Sequence, residues 1–267
     1  MALYFKLPDQ RDSLVVMAMA AEQAERWSEM AVSMTQAIKL GPELTSDERN
    51  LFAVACHNIL TQRRASWRVL SSLEQVELRS QQPRAVPAPG APRTAQPIDA
   101  RQYRRIVQQE VLDLANGFLG TIDRVLLPDS SSNSLESKLF YLKLKGDLHR
   151  YCCEVSDVAE DHRESATESY NRALELSTTL KPLSPLRLSV AVNASVYFFE
   201  VLKAPDRACQ IARQAFEDAV NDDDTLDDTS RKESAVSMQI LRENIYLWTQ
   251  GADSTGGLVN LASSGGD

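Results

Sequence analysis

With 267 residues, 43% hydrophobic and 25% charged, the chain is long enough for one large domain or two small ones. Its net charge of −8 argues against a general nucleic-acid binder. No run approaches the roughly 18 apolar residues that span a bilayer, and residues 1–11 have no apolar core of signal-peptide length, so neither membrane insertion nor secretion is expected.

Helical periodicity covers nearly the whole chain, and strand-like alternation is absent. Residues 10–40 read as two helices, with apolar positions at Leu14, Met17, Ala18 and Ala21 and then at Met30, Met34 and Ile38. Gly41-Pro42 ends this pair. Ser46 is the expected N-cap of a long third helix reaching about residue 79. Residues 81–97 carry Pro83, Pro87, Pro89, Pro92 and Pro97, so helix cannot continue and a flexible or polyproline-like loop is expected. Helix resumes near Asp99 and stops before Pro128, and residues 129–134 form a polar turn. Further helices are expected over 135–158, 163–180, 184–203, 205–220 and 229–250, with an acidic loop (Asp222, Asp223, Asp224, Asp227, Asp228) before the last. The Gly/Ser-rich segment 251–267 is expected to be a disordered tail. The fold class is therefore all-α, an array of nine antiparallel helices joined mostly by short loops.

Cys56, Cys152, Cys153 and Cys209 form no CxxC pair and read as buried, reduced thiols of a cytoplasmic protein, with the nucleus as a second location. His57, His149 and His162 offer no zinc-ligand spacing, and neither a metal nor a cofactor is expected. Cys56-His57, and His149 near Cys152, are the nucleophile-and-base candidates, but consecutive helical residues diverge by about 100°. No Gly-rich phosphate loop, nucleophile elbow or carboxylate cluster accompanies them, so the chain is not read as an enzyme.

The third helix carries His57, Arg64 and Arg68 on one stripe, at spacings of 7 and 4. The fifth carries Lys143 and Arg150, again 7 apart, followed by Tyr151. Two such stripes face to face would make a pocket of fixed positive charge with a phenolic donor. An arginine fork meets a phosphate with two parallel hydrogen bonds. Either stripe alone reads equally as a solvated basic face. The seventh helix places Asn193, Val196 and Glu200 on one face, and the ninth brings Ile240, Asn244, Leu247 and Trp248. Asparagine donates and accepts at once, as holding an extended peptide backbone requires.

Several stretches taken together resemble signature sequences of the 14-3-3 family. They are Ala21-Glu22-Gln23-Ala24-Glu25-Arg26, Glu48-Arg49-Asn50-Leu51, Arg63-Arg64-Ala65-Ser66-Trp67-Arg68, Phe140-Tyr141-Leu142-Lys143-Leu144-Lys145-Gly146-Asp147, Arg150-Tyr151, Asn193-Ala194-Ser195-Val196, and Met238-Gln239-Ile240-Leu241-Arg242-Glu243-Asn244 through Trp248. The resemblance runs in order over residues 14–248 without a missing segment. It implies a helical domain over 1–250, a cup-shaped protomer with a concave groove, and a homodimer, or a heterodimer with a relative, that binds phosphoserine or phosphothreonine segments of client proteins.

The resemblance also implies the site. Arg64, Arg150 and Tyr151 would grip the phosphate. His57 stands where the family usually places a pocket lysine. Arg68 and Lys143 would line a basic wall, and Val192, Val196, Ile240 and Leu247 an apolar one. Asn193 and Asn244 would hold the ligand backbone, assisted by Glu200 and Trp248. Ala24, Leu70 and Tyr103 would form the apolar part of the dimer interface. An Arg26–Glu110 pair would cross it, while Ile106 replaces the partner expected for Glu29. Ser189 and Ser237 stand at groove-wall positions that tend to be apolar or glycine. The Pro-rich insertion would lie near the dimer region. Arg63-Arg64-Ala65-Ser66 also has the form of a basophilic kinase substrate, which the resemblance puts at the dimer interface. The alternative is a phosphate-independent, tetratricopeptide-like scaffold, suggested by Tyr170, Ala173 and Leu174 within 166–176, but no second copy follows at a 34-residue spacing.

Overall fold

The computed structural model describes residues 7–80, 99–128, 134–156, 159–222 and 227–259. Among them it holds nine α-helices and no strand. They are α1 (Arg11–Gln23), α2 (Trp27–Leu40), α3 (Ser46–Ser80), α4 (Ala100–Thr121), α5 (Leu135–Val155), α6 (Glu160–Ser177), α7 (Pro185–Glu200), α8 (Pro205–Val220) and α9 (Asp228–Val259), with a π-helical turn Ile122–Leu126 directly after α4. The expected Pro-rich loop, most of the polar turn and acidic loop, and residues 260–267 of the expected tail lie outside the described residues.

Internal contacts divide the chain into two compact units: Met1–Ser131 with Glu154–Ala159, and Ser132–Cys153 with Glu160–Asp267. In the first, α1 packs on α2, α2 on α3, and α3 on α4. Its core takes the apolar stripes of these helices: Leu14 and Ala18 of α1, Met30, Met34 and Ile38 of α2, Phe52 and Ile59 of α3, and Val111 and Phe118 of α4. Phe52 and Phe118 meet edge to face with ring centroids 5.9 Å apart. In the second unit α7 packs on α6, α8 and α9. Tyr170, Leu188, Tyr197, Ile211 and Leu241 fill its centre together with the small residues Ala166, Ala194, Ala208 and Ala212.

Local chemistry sets the helix ends. The N-cap of α3 is Thr45, not Ser46. Thr45 Oγ1 accepts from the Glu48 N–H at 3.3 Å, and the Glu48 carboxylate accepts from the Thr45 N–H at 2.9 Å, a reciprocal capping box. Arg11 clamps the same carboxylate with bonds of 2.8 and 2.9 Å, tying α1 to the start of α3. Asp99 caps α4 by accepting from Gln102 N–H at 3.1 Å. Pro185 and Pro205 open α7 and α8, where no N–H is needed. The turn after α1 is closed by Arg26 N–H to the Ala21 carbonyl (2.8 Å) and Glu25 N–H to the Glu22 carbonyl (3.0 Å). This leaves Glu25 with φ 53°, where glycine is usual. α5 and α7 end three residues before the expected positions, α6 begins three earlier, and α9 runs on past Gln250 to Val259. Cys56 and Cys152 are buried as expected, but Cys153 and Cys209 are only half-buried; all four are free thiols.

Candidate functional site

In the first unit, the 35-residue α3 extends about 50 Å and presents Arg64 and Arg68 one turn apart. Both bind one carboxylate, Glu154: Arg64 Nε donates to Glu154 Oε2 at 2.6 Å, and Arg64 Nη2 and Arg68 Nε bond it as well. Burial opposes ionisation of Glu154, but the hydrogen bond from Arg68 and the charge of Arg64 prevail and hold its carboxyl below the ordinary carboxylate range. The Arg64 side chain is 12% exposed and that of Arg68 56%, so Arg64 is the one fixed in place. His57, two turns earlier on α3, is exposed.

In the second unit the organising group is Asp147 on α5, buried at 5% exposure. Lys143, one turn back on the same helix, reaches it with Nζ at 3.0 Å. Tyr170 of α6 donates its hydroxyl at 2.6 Å. Asn193 of α7 donates Nδ2 to both oxygens, at 2.8 and 2.9 Å. Burial opposes the charge on Asp147, yet Lys143 and Arg150 outweigh it with help from the Tyr170 hydroxyl, and its carboxyl is held below the ordinary range. Tyr170 is pushed well above the ordinary phenol value, first by burial and then by the Asp147 charge, and stays a donor. Arg150 is mostly buried, lies over the Tyr151 ring with Cζ 5.0 Å from the centroid, and is held charged by Tyr170 and Asp147 in spite of its burial.

Two buried donors that find no acceptor among the described residues belong to side chains expected to hold a ligand: Arg150 Nε and Asn244 Nδ2. A buried orphan donor costs free energy, and an anion or a peptide carbonyl would satisfy both. Among the described residues no group of three or more metal-ligating side chains occurs, and no helix is long and apolar enough to cross a membrane.

Comparison with known proteins places these residues in a family. The family model for the 14-3-3 protein matches residues 17–249. The chain belongs to the 14-3-3 family. It is 42% identical over 251 residues to 14-3-3-like protein 2 of Caenorhabditis elegans, covering 92% of this chain and 94% of that one. It is 40% identical over 260 residues to 14-3-3 protein zeta of Bombyx mori, covering 96% and 98%. It is 40% identical over 242 residues to 14-3-3 protein beta/alpha-B of Xenopus laevis, covering 90% and 93%.

The other expected groove residues of this 14-3-3 chain fall on α7 and α9, which pack together. Val192, Val196 and Asn244 are half-buried, Ile240 is 37% exposed, and Leu247 and Glu200 are exposed. Trp248 is half-buried with one face stacked on Phe199 (centroids 4.6 Å, interplanar 12°), so that face serves the core. Ser189 Oγ is turned back to the Leu186 carbonyl. Ser237 is half-buried. Tyr151 is buried.

Within the single chain, the residues expected at a dimer interface have these surroundings. Leu70 is buried within its own unit, whereas Val69, Leu73 and Val76 on α3 and Tyr103 and Ile106 on α4 are exposed. Arg26 bonds Glu29 within the chain, and Glu110 stands 3.4 Å from Arg63. Ala24 is exposed, and Ser66 is exposed with its hydroxyl bonded back to the Gln62 carbonyl.

Sequence reasoning gave Asp147, Tyr170 and Glu154 no part in the ligand site. Asp147 was within reach: an aspartate one turn after Lys143 and three residues before Arg150 puts a carboxylate between two cations on one helical stripe. Tyr170 and Glu154 carried no such signal, because their partners are distant in sequence.

Proposed function

We propose that this 14-3-3 chain is a non-enzymatic cytoplasmic adaptor, with residues 1–250 as its functional domain. It binds phosphoserine- or phosphothreonine-containing segments of client proteins, as a homodimer or a heterodimer with a relative. The observation that carries this reading is the buried Nε of Arg150, which finds no acceptor among the described residues although the guanidinium also bonds Tyr170, beside a carboxylate already occupied by Lys143, Tyr170 and Asn193. A phosphate brings about −1.5 to −2 charges and several acceptor oxygens to such a donor. Arg64, Arg150, Tyr151 and His57 are assigned to the phosphate and Arg68 and Lys143 to the basic wall. Asn193 and Asn244, with Glu200 and Trp248, are assigned to the ligand backbone.

Asn193 supports the assignment. With its Nδ2 held by Asp147, its amide oxygen is left to accept from a ligand N–H. Val192, Val196, Ile240 and Leu247 would then read the neighbouring side chains. The exposed apolar residues of α3 and α4, including Tyr103, supply the surface for the second copy.

Titrating the chain into a fluorescent phosphoserine peptide flanked by Arg and Pro, beside its unphosphorylated control, tests the reading. Binding at about micromolar Kd or tighter is expected, lost in Arg64→Ala and Arg150→Ala, since each charge-assisted bond contributes roughly 1.5–3 kcal/mol. Equal binding of both peptides would replace this reading with a phosphate-independent scaffold.

A further inference from the structure

Tyr170 is fully buried and carries no ligand role in the groove assignment. Two neighbours fix its ring. It lies against Gly146, where an added Cβ would come within 2.8 Å of Cε1, and beside the Tyr197 ring, with centroids 5.1 Å apart and planes tilted by 36°. A ring packed this tightly makes its hydroxyl a fixed point.

That hydroxyl stands between two opposite charges. It bonds both the Asp147 carboxylate and the Arg150 guanidinium. An ionised carboxylate only accepts and a guanidinium only donates, so the direction of each bond is forced. Arg150 donates to Tyr170 Oη, and Tyr170 donates to Asp147 Oδ1 at 2.6 Å. The same Oδ1 accepts from Asn193 Nδ2 at 2.8 Å. One carboxylate oxygen therefore connects the arginine assigned to the phosphate with the asparagine assigned to the ligand backbone, and Tyr170 is the link on the arginine side. Without the hydroxyl, the buried guanidinium would lose an acceptor and keep its face over the Tyr151 ring, a less directional contact.

We propose that Tyr170 is a positioning residue for phosphopeptide binding: through its hydroxyl it sets the Arg150 guanidinium, and through Asp147 Oδ1 it holds that guanidinium in register with Asn193. This role rests on the phosphopeptide reading of the groove. Tyr170 itself touches no ligand. It fixes the spacing between the group that takes the phosphate and the group that takes the peptide backbone, so that both meet one extended segment at once.

The test compares Tyr170→Phe, which keeps the ring and removes the hydroxyl, with Tyr197→Phe, whose lost hydroxyl bonds the Arg163 carbonyl at 2.7 Å and reaches neither Asp147 nor Arg150. Phosphoserine-peptide affinity should fall about fivefold or more in Tyr170→Phe and change by less than about twofold in Tyr197→Phe. The second readout needs no ligand: the Nε–H NMR signal of Arg150, assigned by its loss in Arg150→Lys, should shift or broaden in Tyr170→Phe and stay in place in Tyr197→Phe. It should also shift in Asn193→Ala, which acts on Arg150 only through the shared Oδ1. That variant, at a half-buried position, decides the case if Tyr170→Phe does not fold. Wild-type affinity in Tyr170→Phe, an equal loss in Tyr197→Phe, or an Arg150 signal unmoved by Tyr170→Phe or by Asn193→Ala would each overturn the proposal. Absence of phosphopeptide binding to the wild type would overturn the groove reading and this role with it, a failure told apart from the others because the Arg150 signal is read on the free chain.

Discussion

Asn193 donates Nδ2 to both carboxylate oxygens of Asp147, at 2.8 and 2.9 Å, so a side chain on α7 is oriented by a buried charge on α5. Asp147→Asn is expected to destabilise the fold by about 3 kcal/mol or more, because Lys143 and Arg150 lose their shared buried counter-charge. Phosphopeptide affinity should fall with it, since Asn193 loses its orientation. Urea unfolding and peptide titration of the same variant check both.

The same carboxylate sets a pH dependence. Asp147 and Glu154 are both held below their ordinary values in the fold, so each binds protons less readily there than in the unfolded chain. The stabilisation they give is therefore complete above the ordinary carboxylate range and is lost as pH falls through and below it. Denaturant midpoints should drop in acid from about pH 5 downward, and the drop should be smaller in Asp147→Asn. An equal acid sensitivity of the two proteins would remove Asp147 from this account.

Gly146 meets the Tyr170 ring so closely that an added Cβ would lie 2.8 Å from Cε1 and 2.9 Å from Cδ1. Both Tyr170 and its surroundings are buried, so the ring has no easy retreat. Gly146→Ala should cost about 1–3 kcal/mol by overpacking, although alanine is the better helix former. Thermal unfolding would show it, and Tyr170→Phe should not reproduce the steric part.

Much of this was legible in the sequence, and the remainder was hidden for identifiable reasons. Helical period and turn residues placed all nine helices, and Pro205 to Val220 matched to the residue. Ends were misplaced where the cap depends on a partner in space, as at Thr45, whose box with Glu48 is locked by Arg11 from another helix. The basic stripes were visible as spacings. The carboxylates that hold them were not, because Glu154 is 90 residues from Arg64 and Asn193 is 46 from Asp147. The two histidines were set aside for want of a ligand spacing, and only the packing of α6 on α5 brings them together.

Glu25 holds a positive φ of 53° in the turn that closes α1. An L-residue there costs about 1–2 kcal/mol over glycine, partly offset by glycine's greater freedom when unfolded. Glu25→Gly should therefore stabilise the chain by about 0.5–1 kcal/mol, measured as a raised urea midpoint at unchanged slope.

His57 gives the groove reading its own pH signature. An imidazole near a bound phosphate favours its protonated form. Phosphopeptide affinity should therefore weaken from mildly acidic to mildly alkaline pH, more steeply in the wild type than in His57→Lys, which keeps its charge. Superimposable profiles would show that His57 does not touch the phosphate.

The Phe199–Trp248 stack gives the chain a built-in optical handle. Of its three tryptophans, Trp27 and Trp67 lie in the first compact unit and Trp248 in the second. A chain with both Trp27→Phe and Trp67→Phe would emit from the α7–α9 stack alone, and Trp248→Phe would silence it. Melting curves recorded by emission from each would show whether the two halves of the molecule give way at one temperature or in succession.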